Sequence, residues 1–365
     1  MNRRHFVTSL SLAAAGAVLP RMAWATATHG LAGAIAADHP LQAAWAAWKS
    51  LCLSPEGRVI DGFQNSDSHS EGQGYGLTLA AAFDDLTAFE QIRAWTEANL
   101  AIRPDALLAW RWKHDQVPRV PDANNASDGD LFYAWALAAM ATRHKRTELA
   151  ERARAIATDL ARLCVAPHPD GGGSHLLLSG AQGFAVGAGY VINPSYYFPR
   201  ALIDLATATG VAVLDKVARD GVALMASIAE RQMVPDWITV GPAGWSAPPD
   251  GFSANSGYEA MRVPLFAVWS GNAAGSAVRR YAAAAAAATA GPGVTTVFDA
   301  KSGASLERSP HPGYGAIKAL AACANAGSVG AAIPDFSADQ PYYPATLHLM
   351  ALVAQAEMVP QCLPL

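Results

Sequence analysis

Two short acidic stretches carry most of the chemistry that this 365-residue chain can offer. In the first, Ser70-Glu71-Gly72-Gln73-Gly74-Tyr75-Gly76, one carboxylate sits among three glycines and a tyrosine, directly before the apolar run 77–83. The second, Asn124-Asn125-Ala126-Ser127-Asp128-Gly129-Asp130, opens the apolar run 131–137. Carboxylates at helix entrances beside aromatic rings can exchange protons with a ligand that stacks on those rings. Each helical glycine costs about 1 kcal/mol relative to alanine, so the glycines at 72, 74 and 76 call for a close approach of backbone or ligand. Burial near Tyr75 would raise the Glu71 pKa and keep it protonated. A structural alternative stands beside each reading: Ser70 as a helix cap with Glu71 favoured by the dipole, and Asp128 as a cap. Asp130, one step further inside, is read as structural.

A third carboxylate, Glu259, lies in Tyr258-Glu259-Ala260-Met261-Arg262-Val263-Pro264. Arg262 follows it at the i, i+3 spacing of a helix-surface pair, worth a few tenths of a kcal/mol. Together these segments resemble glycoside hydrolase family 8, and within it the endoglucanases that accompany bacterial cellulose synthase. The resemblance runs from about Trp45 to about Glu357. It implies an (α/α)6 barrel, with Glu71 as general acid and Asp128 as a ligand for sugar hydroxyls that also stabilises positive charge. Glu259 falls where those relatives carry the aspartate of Tyr-Asp-Ala-x-Arg, which implies a general base one methylene longer. That methylene moves the carboxylate by roughly 1–1.5 Å, enough to cost on the order of 10²-fold in a tight site. By the same resemblance Trp112, in Trp110-Arg111-Trp112, is the sugar platform, with core packing as its alternative. Tyr196 helps hold the attacking water, with Tyr197 as the alternative. Arg262, Tyr75 and Asn125 complete the substrate-binding set. Tyr133 and Trp135 stand where relatives more often have aliphatic residues, which predicts a reshaped cleft floor.

The implied activity is inverting endo-hydrolysis of a β-1,4-glucan, cellulose or a soluble derivative, with a functional link to the cellulose synthase complex. Neither cofactor nor metal is implied. Xylan and chitosan remain alternative substrates within the family, and a carbohydrate-binding toroid without turnover is the alternative of a different class, since the expected base is Glu259. Composition agrees with an uncharged ligand. At 15% charged residues and net charge -4 there is no basic surface for nucleic acid, while ten tryptophans and ten tyrosines can stack on sugar rings. The histidines form no His-Glu-x-x-His, the cysteines have no zinc spacing, and no Gly-x-Ser-x-Gly occurs.

Arg3-Arg4-His5-Phe6, a short apolar stretch and Ala23-Trp24-Ala25 read as a signal peptide over 1–25, of the twin-arginine type. The destination is periplasmic or secreted. The apolar stretch is shorter than the about 20 residues that span a bilayer, so no stable membrane insertion follows cleavage. Residues 26–39 read as a flexible segment and 40–365 as a single catalytic domain. Cys52, Cys164, Cys323 and Cys362 allow three complete pairings, among them a Cys52 to Cys362 bridge that would tie the two ends together.

Positioning these groups falls to about eleven helices, read over 41–52, 71–83, 86–100, 128–142, 148–164, 194–207, 211–230, 256–270, 277–290, 313–326 and 342–357. Strand signals are few, the clearest at 294–298 and 176–178. So many sequential helices suit a ring of helix pairs whose inner members present their N-terminal ends to one mouth.

Overall fold

The computed structural model describes residues 30–364, so the signal peptide read over 1–25 lies outside the described residues. Eleven α-helices follow among them: α1 (Leu41–Cys52), α2 (Ser70–Ala82), α3 (Leu86–Asn99), α4 (Ser127–His144), α5 (Thr147–Cys164), α6 (Pro199–Thr209), α7 (Val213–Ala229), α8 (Arg262–Trp269), α9 (Ser276–Ala287), α10 (Pro312–Ala326) and α11 (Tyr342–Met358). Their burial sorts them. The helices α2, α4, α8 and α11 are buried on nearly every face, as helices apolar all round must be. By contrast α5 buries only a stripe, Leu149, Ala153, Ile156, Leu160 and Cys164, and turns its charges outward.

Packing closes a ring. In order, α2 lies on α4, α4 on α6, α6 on α8, α8 on α10, α10 on α11, and α11 returns to α2. Helices α3, α5, α7, α9 and α1 pack against this ring from outside. The sixth outer place is taken by the non-helical stretch 327–341, flanked by a disulfide between Cys323, near the end of α10, and Cys362, just past α11. This is an (α/α)6 barrel. Because each return passes through the outer layer, the six inner helices run the same way and their N-termini meet at one end.

The apolar core is one continuous cluster from Leu31 to Cys362. At its centre Phe198 stacks on Phe266 at 4.7 Å and packs against Phe132 at 5.3 Å, while Trp135 meets Trp269 edge-on at 5.8 Å. Trp135 is thus barrel filling. Tyr133 turns outward and donates its hydroxyl proton to Glu97 at 2.9 Å, so neither residue reshapes a cleft floor. The glycines of α2 also have a packing role. A Cβ on Gly74 would lie 3.0 Å from the Gly129 carbonyl oxygen, and one on Gly129 would lie 2.7 Å from the Glu71 nitrogen. Close crossing of α2 and α4, rather than approach of a ligand, is what these glycines permit.

Several boundaries differ from those read in the sequence. Instead of one helix over 194–207 there is a 3-10 turn, Pro194–Tyr196, then α6, because Pro199 holds Phe198 in extended backbone. The helix read from 256 begins only at Arg262. Part of the segment read as flexible is docked: Leu31 and Ile35 are buried, and the N–H groups of Gly33 and Ile35 donate to the carbonyls of Ala81 and Ala82. Cys52 is a free thiol buried on the core face of α1, far from pairing with Cys362, and Cys164 is likewise free. Among the described residues ten short strands occur where two were read, four of them (185–186, 189–192, 238–241 and 244–246) forming an antiparallel sheet beside the barrel mouth.

Candidate active site

The N-terminal ends of all six inner helices line one cleft of about 580 Å³: Glu71 on α2, Asp128 on α4, Tyr196 ahead of α6, Glu259 ahead of α8, Tyr314 on α10 and Tyr343 on α11. In the ring α2 stands opposite α8, so Glu71 and Glu259 occupy facing banks. Six helix N-termini aimed at one space favour anionic groups there.

Beneath the carboxylates lies Arg262, the first residue of α8, only 1% exposed. One terminal nitrogen, Nη1, pairs with Glu71 Oε2 and donates to the Tyr75 hydroxyl at 2.7 Å. The other, Nη2, pairs with Glu259 Oε2 and donates to Ser195 Oγ at 2.7 Å. Asp128 Oδ2 stands 3.6 Å from Nη1, and its Oδ1 accepts the Gly129 N–H at 2.8 Å. A single guanidinium therefore faces three carboxyl groups and cannot balance three negative charges. Burial raises the pKa of Glu71, Arg262 works against that rise, and Glu259 adds to it. Asp128 is raised well above the carboxylate range by burial and then by Glu71. Burial weakens the Arg262 charge, but Glu259, Tyr75, Tyr343 and Glu71 together hold it firmly cationic.

Glu259 is placed by groups from far along the chain. Asn193 Nδ2 donates to its Oε2 at 2.9 Å, while Asn193 Oδ1 accepts from the Ser195 N–H and hydroxyl. Below, Asp236 Oδ1 accepts the N–H groups of Gly257, Glu259 and Ala260 at 2.9, 3.1 and 2.8 Å. These are donors that a helix entrance leaves without internal partners, and Asp236, by accepting them, anchors the turn that presents Glu259 to the cleft ahead of α8.

The structure divides the residues read from sequence. Glu71, Asp128, Glu259 and Tyr196 line the cleft, and Tyr196 places its ring 5.8 Å from the Arg262 guanidinium carbon. Tyr197 turns away, its hydroxyl accepting the Leu177 N–H. Arg262 and Tyr75 are sealed under the floor and are not in the cleft lining: Glu71 and Glu259 engage the guanidinium, and the Tyr75 hydroxyl accepts from its Nη1. Asn125 is also buried, bonded to Asp130, Cys164 and the Ala181 N–H, so it shapes the loop before α4. Asp130 accepts the Leu108 N–H and is structural. Trp112 lies outside the cleft, between the guanidinium groups of Arg58 and Arg119 and edge-on to Trp95, while Trp110 lines it. Neither cap reading holds: Ser70 Oγ has no hydrogen-bond partner, and α4 begins ahead of Asp128 at Ser127.

Sequence reasoning missed Asn193, Ser195, Asp236 and Trp110. Only the turn-forming Asn193-Pro194-Ser195 offered a local signal for any of them. Among the described residues no group of three or more His, Cys, Asp or Glu side chains could hold a metal ion, and no helix is long and apolar enough to cross a membrane.

A carboxyl group whose pKa burial raises, set with a second carboxyl group in an aromatic-lined cleft, is of the type that can protonate a leaving oxygen while the other acts on the sugar. Comparison with known proteins identifies the family. The profile of glycosyl hydrolases family 8 matches residues 19–357. A probable endoglucanase of Novacetimonas hansenii is 33% identical over 318 residues, 86% of this chain and 90% of its own. The endo-beta-1,4-glucanase CMCax from Acetobacter xylinum superposes with a TM-score of 0.73 at 30% identity, over 87% of this chain and 98% of that one. An endoglucanase from Komagataeibacter sucrofermentans does so with a TM-score of 0.75 at 32% identity, over 86% and 97%. The chain belongs to glycosyl hydrolases family 8.

Proposed function

We propose that the chain is an exported endo-β-1,4-glucanase that hydrolyses internal bonds of cellulose with inversion. The observation that carries the acid–base part of this reading is the pairing of Glu71 and Glu259 to opposite nitrogens of the buried Arg262, while inversion rests on the family resemblance. Glu71 gives its proton to the glycosidic oxygen as the bond to the anomeric carbon breaks. Water attacks that carbon from the far face and passes a proton to Glu259, with Tyr196 and Asn193 beside its path. Each turnover leaves Glu71 ionised and Glu259 protonated, and exchange with solvent restores both. Asp128 holds a sugar hydroxyl and offsets positive charge at the anomeric carbon. The names of the similar endoglucanases support a β-1,4-glucan as substrate.

Export is supported by the Arg3-Arg4 segment and by the Cys323–Cys362 disulfide, which suits an oxidising compartment. A part in cellulose synthesis, trimming nascent chains, rests on the sequence resemblance.

Initial rates on carboxymethylcellulose, xylan and chitosan test the substrate, and the first should be fastest. A preference for either of the others would replace the glucan assignment, and binding without release of reducing ends would make the chain a binder. Inversion predicts the α-anomer as first product from a β-linked oligosaccharide by NMR; the β-anomer would reject it. Export predicts that replacing Arg3 and Arg4 by lysine traps the chain in the cytoplasm.

A further inference from the structure

Resting on the glucanase reading, we propose that Phe63 is a distal sugar-stacking platform that selects long glucan chains over short ones. Phe63 lines the cleft yet is 64% exposed, more than any other aromatic ring among the described residues. A large apolar ring left in water is unfavourable unless something covers it during function.

The turn that carries it is tightly held. Asp61 and Asp67 pair across its base, the Asp67 N–H donates to the Gln64 carbonyl at 3.0 Å, and the Asp61 carboxylate accepts from the Phe63 N–H and from Gln64 Nε2, both at 3.0 Å. The ring is therefore presented by an ordered support, which lowers the entropy lost when a ligand stacks on it.

Position along the cleft gives the platform its meaning. Phe63 lies 6.5 Å from His311, His311 lies 6.5 Å from Tyr314, and Tyr314 meets Tyr258 edge-on at 5.9 Å, all ring centre to ring centre. Tyr258 immediately precedes Glu259. This aromatic wall leads from the reacting carboxylates to the rim, and Phe63 is its outermost member. Three ring-to-ring steps separate Phe63 from Tyr258, so Phe63 would hold a sugar away from the bond being cut, and the apolar face of a pyranose fits an exposed phenyl ring without needing charge.

The test compares cellotetraose with cellohexaose for the full chain and for Phe63→Ala and Phe63→Trp. Loss of one stacking contact should lower kcat/KM on cellohexaose by about three- to tenfold, chiefly through KM, and change it less than about twofold on cellotetraose. Phe63→Trp should restore the hexaose rate, and the melting temperature should not move. Equal losses on both lengths, or an unchanged hexaose KM in Phe63→Ala, would overturn the platform while leaving the glucanase reading intact. A wild-type chain inert on both oligosaccharides would overturn that reading, and the platform with it.

Discussion

Two of the three carboxylate-bearing entrances of the barrel, those of Glu71 and Glu259, are built in opposite ways. Glu71 lies within the first turn of α2, a helix buried on all sides and locked to α4 through Gly74 and Gly129, so its place is set by helix packing. Glu259 lies outside any helix, with its side chain 37% exposed against 23% for Glu71, on a turn pinned by the single carboxylate of Asp236. Arg262 joins the two. The contrast is one of enclosure around a shared guanidinium: burial raises the Glu71 pKa, whereas Glu259 stands more open to solvent. A Cβ at Gly74 would press on α4, whereas the turn before α8 is fixed by side-chain anchors rather than by helix crossing.

Breaking the enclosed side should have the largest effect. Glu71→Gln removes the transferable proton and should lower kcat on polymer by ~10²–10⁴-fold without changing substrate binding or thermal stability. Retention of more than about a tenth of the rate would move the acid elsewhere. On the open side Glu259→Ala should lose at least about 10²-fold, while Glu259→Asp should keep or raise the rate, because the resembling relatives carry aspartate at this place. Wild-type turnover by Glu259→Ala would sink the base assignment. Loosening the anchor is a milder change. Asp236→Asn weakens acceptance of three N–H groups and should cost about tenfold in kcat and ~1–3 kcal/mol of stability by urea denaturation.

The pH dependence sharpens the same contrast. The proposed acid role requires Glu71 to be protonated, and burial raises its pKa, so kcat/KM should fall as pH rises through that raised value, and the falling limb should vanish in Glu71→Gln. Asp130 titrates away from the cleft and supplies the smallest effect on rate. Burial pushes it up to about 7. A group whose folded pKa is raised stabilises fully below its unfolded pKa, about 3.9, and that contribution is lost as pH rises through about 7. Asp130→Asn should flatten the urea midpoint across this window while changing kcat less than about twofold. An unchanged pH slope of stability would reject the assignment.

Read alone, the chain shows most of its helices through apolar periodicity, as for α5 or α7, and the helix-entrance carboxylates Glu71 and Asp128 through their own segments, while Glu259 stands out only through the family resemblance. The ring closure, the identity of the cleft tryptophan and the supports of Glu259 are not written locally. Asp236 reaches the Glu259 backbone across 23 residues and Asn193 reaches its carboxylate across 66, each arriving on a different strand or turn of the barrel mouth. Trp110 and Trp112 differ by two positions and have the same chemistry, but only packing against Trp95 and two arginines removes Trp112 from the cleft. Arg262 carries the clearest signal at Glu259 spacing, yet its burial beneath Glu71, 191 residues earlier, turned an expected sugar ligand into the guanidinium that joins the two sides. Local pattern decides which groups exist and which face of a helix is apolar; which of them meet, and in what dielectric, depends on contacts between distant segments that form only when the barrel closes.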